Sequence, residues 1–286
     1  MGSKRVLAEP IINHIIDHNP NVKYLYDLFG GGGAISFEAV QRKQFDIVFY
    51  NELNTSIVEL LRKIMNDGVT DEFYRWVSRE EYKEKVNGND WFAGLLKSCW
   101  SFGNNQKDYM FGKDIEEIKR EAHEYLMVNG YDKTADSRTR LLKRFKSDKD
   151  ITSRFDLQRL ERLQQLQQLQ QLQQLERLQR LEQLERLEIS NLSYEQVEIN
   201  TPVSETIIYC DPPYFSTAKY KEKLCHDTFL EWVKNSPYKI YVSSYDFDLP
   251  TVKELSHRST LSPTNNAKKT VERLFCNQTE SKTTLF

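Results

Sequence analysis

The sequence predicts an α/β fold organised around a parallel sheet, and the strongest evidence lies near its start. An apolar run at 24–29 is typical of a buried strand, and it leads directly into four glycines at 30–33. A helical segment at about 34–42 follows, and a second apolar strand at 46–50 ends in Asn51-Glu52. Strand, glycine loop, helix and strand in this order form a βαβ unit, whose two strands pair in parallel.

The other elements of this fold are predicted from similar patterns. Residues 1–22 carry apolar side chains at helical spacing and end before Asn19-Pro20, which favours an N-terminal helix. A further helix is expected at about 55–65. Strands at about 196–199, 207–210, 239–243 and 271–275 are expected to continue the sheet.

The middle of the chain has a different composition. Residues 71–154 are rich in aromatic and charged side chains without a second apolar strand run, which predicts a mostly helical insertion. Leucine then stands at every third position from 157 to 187. That period moves each leucine by about −60° around an α-helix, so it forms neither a heptad seam nor one amphipathic face. We interpret the array as an exposed low-complexity helical arm, and a dimerisation or DNA-contacting arm stays an alternative.

Composition and charge argue against several classes of protein. The 286 residues are 39% hydrophobic and 29% charged, with a formal net charge of −2, as in soluble globular proteins. The first residues do not resemble a signal peptide, and no apolar run approaches membrane-span length, so a cytoplasmic protein without membrane contact is expected. The four cysteines lack CxxC spacing and the five histidines lack HxH spacing, so no metal site is expected.

The glycine run and two acids beside it indicate a binding site for a small molecule. Glycines after a buried strand let the backbone approach a bulky ligand closely, although we do not interpret them as a GxGxxG fingerprint. Asp27, at the end of the first strand, can accept a hydrogen bond from an ammonium group. Glu52, at the end of the second, lies where an acid typically binds ribose hydroxyls. An adenosine-bearing cofactor with a cationic end would satisfy both acids.

A second feature with chemical potential is Asp211-Pro212-Pro213-Tyr214, directly after the apolar run at 207–210. Neither proline can continue a ladder of hydrogen bonds, and each restricts the residue before it to extended geometry. The loop therefore holds a carboxylate, the Pro212 carbonyl and an aromatic face rigidly at the carboxyl end of a strand. Ligands bind at this edge in open α/β sheets.

Three motifs, in this order, resemble those of one enzyme family. They are Asp27-x-Phe29-x-Gly-Gly-Gly, Asn51-Glu52-Leu53-Asn54 and Asp211-Pro212-Pro213-Tyr214. They are similar to the signatures of Dam-like (D12 class) adenine-specific DNA N6-methyltransferases. Gly2-Ser3-Lys4 also resembles the Gly-x-Lys element with which members of that family begin. Leu28 replaces a proline that is frequent in the family, and Glu52 replaces the usual Asp, but both changes keep the needed chemistry.

The resemblance implies a fold and a cofactor. The fold is a Rossmann-like S-adenosylmethionine-dependent methyltransferase sheet, with a catalytic domain at 1–70 and 188–286 and an inserted, mainly helical target-recognition region at 71–155. The Leu/Gln-rich arm at 156–187 lies outside the family pattern. The cofactor is S-adenosyl-L-methionine, and its implied contacts are Lys4, Asp27, Phe29, Gly30, Gly31, Gly32, Glu52 and Asp211.

The resemblance also implies a reaction, the methylation of adenine N6 in a specific DNA sequence by base flipping and direct in-line transfer. The implied catalytic residues are Asp211, Pro212, Pro213 and Tyr214. The Asp211 carboxylate and the Pro212 carbonyl would accept the amino hydrogens and stabilise the positive charge that develops on nitrogen. Tyr214 would stack on the extruded base, and no metal is required.

Contacts to double-stranded DNA are predicted from polar and basic clusters. The loop around 99–106 offers amide side chains suited to bidentate base contacts, namely Asn104, Asn105 and Gln106. Basic side chains near the end of the insertion and after the catalytic loop are suited to phosphates, among them Arg140, Lys143, Arg144 and Lys219. An ordinary polar turn and solvated charged faces stay alternative interpretations.

Other functions stay open on the sequence alone. Methylation of cytosine N4 uses the same loop geometry, although such enzymes more often carry Ser in place of Asp211. RNA or a protein glutamine amide is a second alternative substrate, for which Asn is more usual. A catalytically idle DNA-binding or assembly module around the leucine array is a third. A monomer suffices for the expected reaction, and a cognate restriction nuclease is left open as a partner.

Overall fold

The structure is a computed structural model. It describes residues 4–68, 70–102, 105–114, 116–117, 119–120, 123, 186–213, 225–258 and 269–279. The chain divides into two compact units. We call them the sheet unit (Gly2–Val58 and Leu181–Phe286) and the helical unit (Met1 and Glu59–Arg180).

The sheet unit is built on a mixed sheet of seven strands among the described residues. The strands are β1 (Tyr24–Asp27), β2 (Ile47–Asn51), β3 (Leu187–Ser190), β4 (Thr206–Cys210), β5 (Lys239–Ser244), β6 (Thr251–Arg258) and β7 (Lys269–Cys276). Their order is β3-β2-β1-β4-β5-β7-β6. The first five are parallel, and β7 runs antiparallel to both of its neighbours.

Helices in the described parts of the chain are α1 (Arg5–His18), α2 (Ala34–Val40), α3 (Thr55–Asp67), α4 (Arg79–Lys85), α5 (Trp91–Cys99) and α6 (His226–Asn235). Several begin where the sequence supplies a cap. Ser78 accepts a hydrogen bond from the Glu81 backbone N–H at the start of α4, and Asp90 does the same for Ala93 at the start of α5. Such caps satisfy backbone donors that the first turn leaves without partners.

The core of the sheet unit explains the apolar runs in the sequence. All five residues of β4 are buried, as expected for a strand near the centre of a parallel sheet that is covered on both faces. On one face the strand side chains pack against α6 through Phe229 and Val233, which are fully buried. Phe247 and Phe275 complete this cluster.

The direction of strand order reverses between β1 and β4. The chain moves outward from β1 to β2 and β3, and then returns to pair β4 with the other side of β1. In that pair Asp27 lies opposite Tyr209, two residues before Asp211. A reversal of this kind is a topological switch point, where ligands bind in open α/β sheets.

Asn51 joins three segments at this edge of the sheet. Its buried Nδ2 donates to the carbonyls of Leu28 (3.1 Å) and Leu192 (3.0 Å). Its Oδ1 accepts from the Ser190 hydroxyl (2.8 Å) and the Leu192 backbone N–H (3.0 Å). One side chain thus connects the ends of β1, β2 and β3.

The helical unit has its own aromatic core. Phe73, Val77, Tyr82, Leu96 and Trp100 are buried in it. Ser101 and Tyr109 form an antiparallel bridge, and the Tyr109 hydroxyl donates to the Val77 carbonyl at 2.6 Å. None of the helices described in the chain combines the length and the hydropathy needed to span a membrane.

The predicted α/β fold class is confirmed. The predicted strand at 196–199 is wrong, because the strand lies earlier, at Leu187–Ser190, and Tyr194–Gln196 forms a short 3-10 helix with a capping box from Ser193. Val197 and Ile199 pack against the core without joining the sheet. The last leucine of the array, Leu187, is the first residue of β3, whereas 156–185 lie outside the described residues.

The role of Asn51 yields a stability prediction. Asn51→Ala should lower the free energy of unfolding by about 2–3 kcal/mol, because it leaves buried carbonyl and N–H groups without partners. Urea denaturation measures this change. Asn235→Ala, the same substitution at an exposed position in the last turn of α6, is the control and should change stability by less than about 0.5 kcal/mol. Equal effects of the two substitutions would contradict the role assigned to Asn51.

Candidate active site

Asp27 is a buried acid, and one of its oxygens has no hydrogen-bond partner among the described residues. Ser36, on α2, donates its hydroxyl to Asp27 Oδ2 at 2.7 Å. Oδ1 is buried, and none of the described residues forms a hydrogen bond with it. Burial raises the pKa of Asp27 to about 7, and repulsion from Asp211 and Glu52 adds to the rise, while Ser36 opposes it. A buried oxygen of this kind is a natural acceptor for a ligand cation.

The glycine loop is held in place by Tyr50 and Asn51. The Gly30 backbone N–H donates to the Asn51 carbonyl at 2.8 Å, and the Tyr50 hydroxyl donates to the Gly31 carbonyl at 2.7 Å. A Cβ at Gly30 would lie 2.2 Å from the Tyr50 ring, so only glycine fits there. A Cβ at Gly32, by contrast, would meet no atom of the described residues within 4 Å. The loop is therefore tight on its protein side and open at Gly32.

Glu52 is fixed by backbone donors on both of its oxygens. Oε2 accepts from the Gly31 N–H and Oε1 from the Asn54 N–H, each at 2.8 Å. Burial raises the pKa of Glu52, and these N–H groups oppose the rise. Asn191 donates to the carbonyls of Glu52 (2.6 Å) and Leu53 (3.1 Å). The Leu53 side chain stays largely exposed beside the acid, as an apolar surface.

Asp211 lies directly after β4 and faces Lys4. The Lys4 Nζ is 3.1 Å from Asp211 Oδ1, and it also forms an ion pair with Glu272 of β7. Burial raises the pKa of Asp211, while the Lys4 ammonium opposes the rise. Burial likewise lowers the pKa of Lys4, against the effect of Asp211. Pro212 is buried and Pro213 is half-buried, which keeps the loop after Asp211 close to the fold.

The structure brings together most of the predicted cofactor residues that it describes. Three of them stand at the carboxyl ends of parallel strands, namely Asp27 in β1, Glu52 directly after β2 and Asp211 directly after β4. Lys4 faces Asp211. The Phe29 ring packs against Tyr194 and Phe229, with both centroid distances 5.6 Å. Its contact with a cofactor stays a prediction.

Other predicted site residues are described only in part. Asn105 uses its amide within its own loop, since Nδ2 donates to Asp108 (2.6 Å) and Oδ1 accepts from the N–H groups of Lys107 and Asp108 (both 2.9 Å). Gln106 has a left-handed backbone with φ of 59°. Base contacts by these two side chains stay predictions. The remaining predicted residues lie outside the described residues: Tyr214, Asn104, Arg140, Lys143, Arg144 and Lys219.

Several polar residues that support the site were not predicted as site residues from the sequence: Ser36, Tyr50, Asn51, Ser243 and Glu272. One signal was available for Glu272. In β7, Glu272 and Leu274 are two positions apart and both are buried, whereas Val271 and Arg273 are less buried. An acid that lies on the same side of a strand as its apolar residues is a candidate for a buried functional residue. Among the described residues, no group of potential ligand side chains is arranged to hold a metal ion.

A comparison with protein families decides the assignment. The family model described as "D12 class N6 adenine-specific DNA methyltransferase" matches residues 1–230, most of the chain. This chain belongs to that family. No curated protein matches the sequence. A solved structure of a candidate methylase from Haemophilus influenzae aligns over 96% of this chain and 89% of its own, with 14% identity and a TM-score of 0.33.

Members of a methyltransferase family use S-adenosylmethionine, and the described site of this D12 methyltransferase fits such a group. Asp27 Oδ1, which no described residue contacts by a hydrogen bond, offers an acceptor for a cation, and the space that the described residues leave open at Gly32 lets a ligand approach the backbone. The methionine end of the cofactor carries an ammonium group, and its sulfonium adds positive charge. The acidic side chains at this edge of the sheet are therefore complementary in charge to the positively charged cofactor.

The two sides of the glycine loop can be separated by substitution. Gly30→Ala should destabilise the D12 methyltransferase by about 1–3 kcal/mol, because its Cβ would overlap the Tyr50 ring. Gly32→Ala is the matched control for stability and should change it by less than about 0.5 kcal/mol, since no atom opposes its Cβ. Thermal and urea unfolding without ligand provide the measurement. A larger loss in Gly32→Ala than in Gly30→Ala would contradict this packing.

Proposed function

We propose that this D12 methyltransferase transfers a methyl group from S-adenosylmethionine to the N6 amino group of adenine, at a specific sequence in double-stranded DNA. The observation that carries the proposal is the position of Asp211. Its carboxylate stands at the switch point across from Asp27 and the glycine loop, at the edge where ligands of such sheets bind. The family assignment supports DNA as the substrate.

The cofactor would be held by the ends of β1 and β2. Asp27 Oδ1 would accept a hydrogen bond from the ammonium group, and this contact would satisfy a buried oxygen that no described residue reaches. Glu52 would take the ribose hydroxyls, because its carboxylate is already oriented by two backbone N–H groups. Leu53 offers an apolar surface beside Glu52 for the adenine ring. When bound, the cofactor supplies an electrophilic methyl group on its sulfonium sulfur.

The acceptor half of the site would be formed by Asp211 and Pro212. Because Lys4 contacts Oδ1 of Asp211, Oδ2 is the oxygen we assign to an adenine amino hydrogen, with the Pro212 carbonyl taking the other. These acceptors draw electron density onto a nitrogen whose lone pair is otherwise delocalised into the ring. As N6 took the methyl group from the sulfonium of a bound cofactor, the Asp211 carboxylate and the Pro212 carbonyl would stabilise the positive charge that develops on nitrogen.

The environment of Asp211 suits it to accept the proton that must then leave N6. Burial raises the pKa of Asp211, which makes the carboxylate a better proton acceptor, while the Lys4 ammonium opposes that rise. The target nitrogen is unreachable inside a duplex, so the adenine is proposed to be extruded from the helix. Tyr214, which follows Pro213, is proposed to stack on it.

The remaining assignments follow the family. We propose residues 1–70 and 188–286 as the catalytic domain, 71–155 as the target-recognition region and 156–187 as an accessory arm. The residues proposed to read bases are Asn104, Asn105 and Gln106, and those proposed to contact phosphates are Arg140, Lys143, Arg144 and Lys219. A monomer would suffice, because each proposed role in methyl transfer falls on one chain.

The proposed role of Asp211 is tested by removing its carboxylate. Asp211→Ala should lower methyl transfer by at least about 1000-fold while leaving the cofactor dissociation constant within a few-fold of wild type. Tritium transfer from labelled S-adenosylmethionine to unmethylated genomic DNA measures the first quantity, and calorimetry the second. Asp46→Ala, which removes an exposed carboxylate before β2 at the opposite edge of the sheet, should keep full activity. Substantial transfer by Asp211→Ala would refute the mechanism.

Asp27 yields a prediction for the pH dependence of cofactor binding. Since the pKa of Asp27 is raised to about 7, a cation must displace a proton from it below that pH. Affinity for S-adenosylmethionine should therefore fall as pH drops from 8 to 6, approaching tenfold per unit at the acid end. Asp27→Asn should bind more weakly and lose this component. The cofactor's own titration is common to both proteins, so an identical pH dependence in the two would contradict the assignment.

A further inference from the structure

Glu272 is a buried carboxylate that the mechanism above does not use. It lies on β7, and its side chain is only 3% exposed. The Ser243 hydroxyl, from β5, donates to its Oε1 at 2.6 Å, and Lys4 forms an ion pair with the same oxygen. An acid is costly to bury, so its position on the same side of β7 as buried Leu274 and Cys276 calls for a compensating interaction.

Lys4 is shared between Glu272 and Asp211. Its side chain is 7% exposed, and its ammonium is 3.1 Å from Asp211 Oδ1 while it is paired with Glu272. The two acids come from different parts of the sheet, one from β7 and one from the end of β4. Because a single ammonium serves both, a stronger pair on one side weakens the pair on the other.

We propose that Glu272, acting through Lys4, sets both the position and the basicity of the Asp211 carboxylate, and is thus a positioning residue for methyl transfer. This inference rests on the proposed function, since only an Asp211 that accepts amino hydrogens gives the effect a catalytic consequence. Glu272 prevents Lys4 from centring on Asp211. The Asp211 carboxylate therefore stays more basic than it would be in a buried pair with Lys4 alone.

Other titratable groups lie near the cluster. Asp27 from β1 and the Cys210 thiol from β4 interact electrostatically with Asp211, and Glu52 from β2 interacts with Asp27. Burial raises the pKa of Cys210 well above its usual range, so its thiol stays neutral at neutral pH. Glu254 and Arg273, which pair with each other on β6 and β7, are more exposed and stand apart from the cluster.

Glu272→Gln provides the central test, because it keeps the shape of the side chain and removes its charge. Without that charge Lys4 should centre on Asp211, and the pKa of Asp211 should fall by about one unit. Carbon-13 NMR of protein labelled at the aspartate carboxyl, with the Asp211 signal assigned through Asp211→Asn, measures this shift without DNA or cofactor. An unchanged Asp211 titration in folded Glu272→Gln would overturn the proposal.

The catalytic consequence is measured separately. Under single-turnover conditions Glu272→Gln should slow methyl transfer roughly 10- to 100-fold, and the acid limb of the rate–pH profile should move to lower pH. Dissociation constants for S-adenosylmethionine and DNA should stay within a few-fold of wild type. Glu254→Gln is the matched control and should leave rate, profile and titration unchanged. A residue with a purely structural role would lower the melting temperature without moving either titration.

Two further outcomes keep the experiment decisive. If Glu272→Gln does not fold, Ser243→Ala takes its place. Loss of the hydroxyl removes one hydrogen bond to Glu272 Oε1 and should strengthen the pair of that oxygen with Lys4, so the pKa of Asp211 should rise instead of falling. No shift in that variant would overturn the proposal. If the wild-type protein transfers no methyl group to DNA, the proposed function fails, yet the NMR titration still reports on the coupling between Glu272 and Asp211.

Discussion

Acids outnumber cations among the described side chains at the carboxyl edge of the sheet. Asp27, Glu52 and Asp211 follow or end parallel strands there, Glu272 approaches from β7, and Lys4 faces Asp211 and Glu272. Burial raises the pKa of the first three acids, and in Asp27 repulsion from the other two adds to the effect. The fold thus holds negative charge that a cationic ligand would relieve. S-adenosylmethionine, with an ammonium and a sulfonium group, has the required charge.

The same edge is stiff where the proposed chemistry needs stiffness. β1 and β4 pair directly, which fixes the separation between the strand that bears Asp27 and the strand that precedes Asp211. Tyr50 and Asn51 at the end of β2 hold the glycine loop, and the prolines after Asp211 restrict its backbone. Preorganised acceptors of this kind act on the transition state without reorganising during the reaction. The methyl donor and the acceptor would then meet across one crevice.

Much of this arrangement could be predicted from the sequence, because local patterns encode it. Apolar runs located β1, β2, β4, β5 and β7, and the glycine and proline residues marked the loops that follow β1 and β4. The rest depends on contacts between distant residues. Ser36, Ser243 and Glu272 join the site only once α2, β5 and β7 are in place. The strand at Leu187–Ser190 was missed because it begins inside the leucine array, and β6 because its alternation with charged residues gives a weak strand signal.

We propose above that this site methylates adenine at N6. The most direct measurement is mass spectrometry of nucleosides from unmethylated duplex DNA, incubated with the protein and S-adenosylmethionine that carries a trideuterated methyl group. We predict deuterium-labelled N6-methyldeoxyadenosine as the methylated product, and its absence from a reaction with Asp211→Ala. Label found only in N4-methyldeoxycytidine, or in no nucleoside while the cofactor binds, would contradict the account.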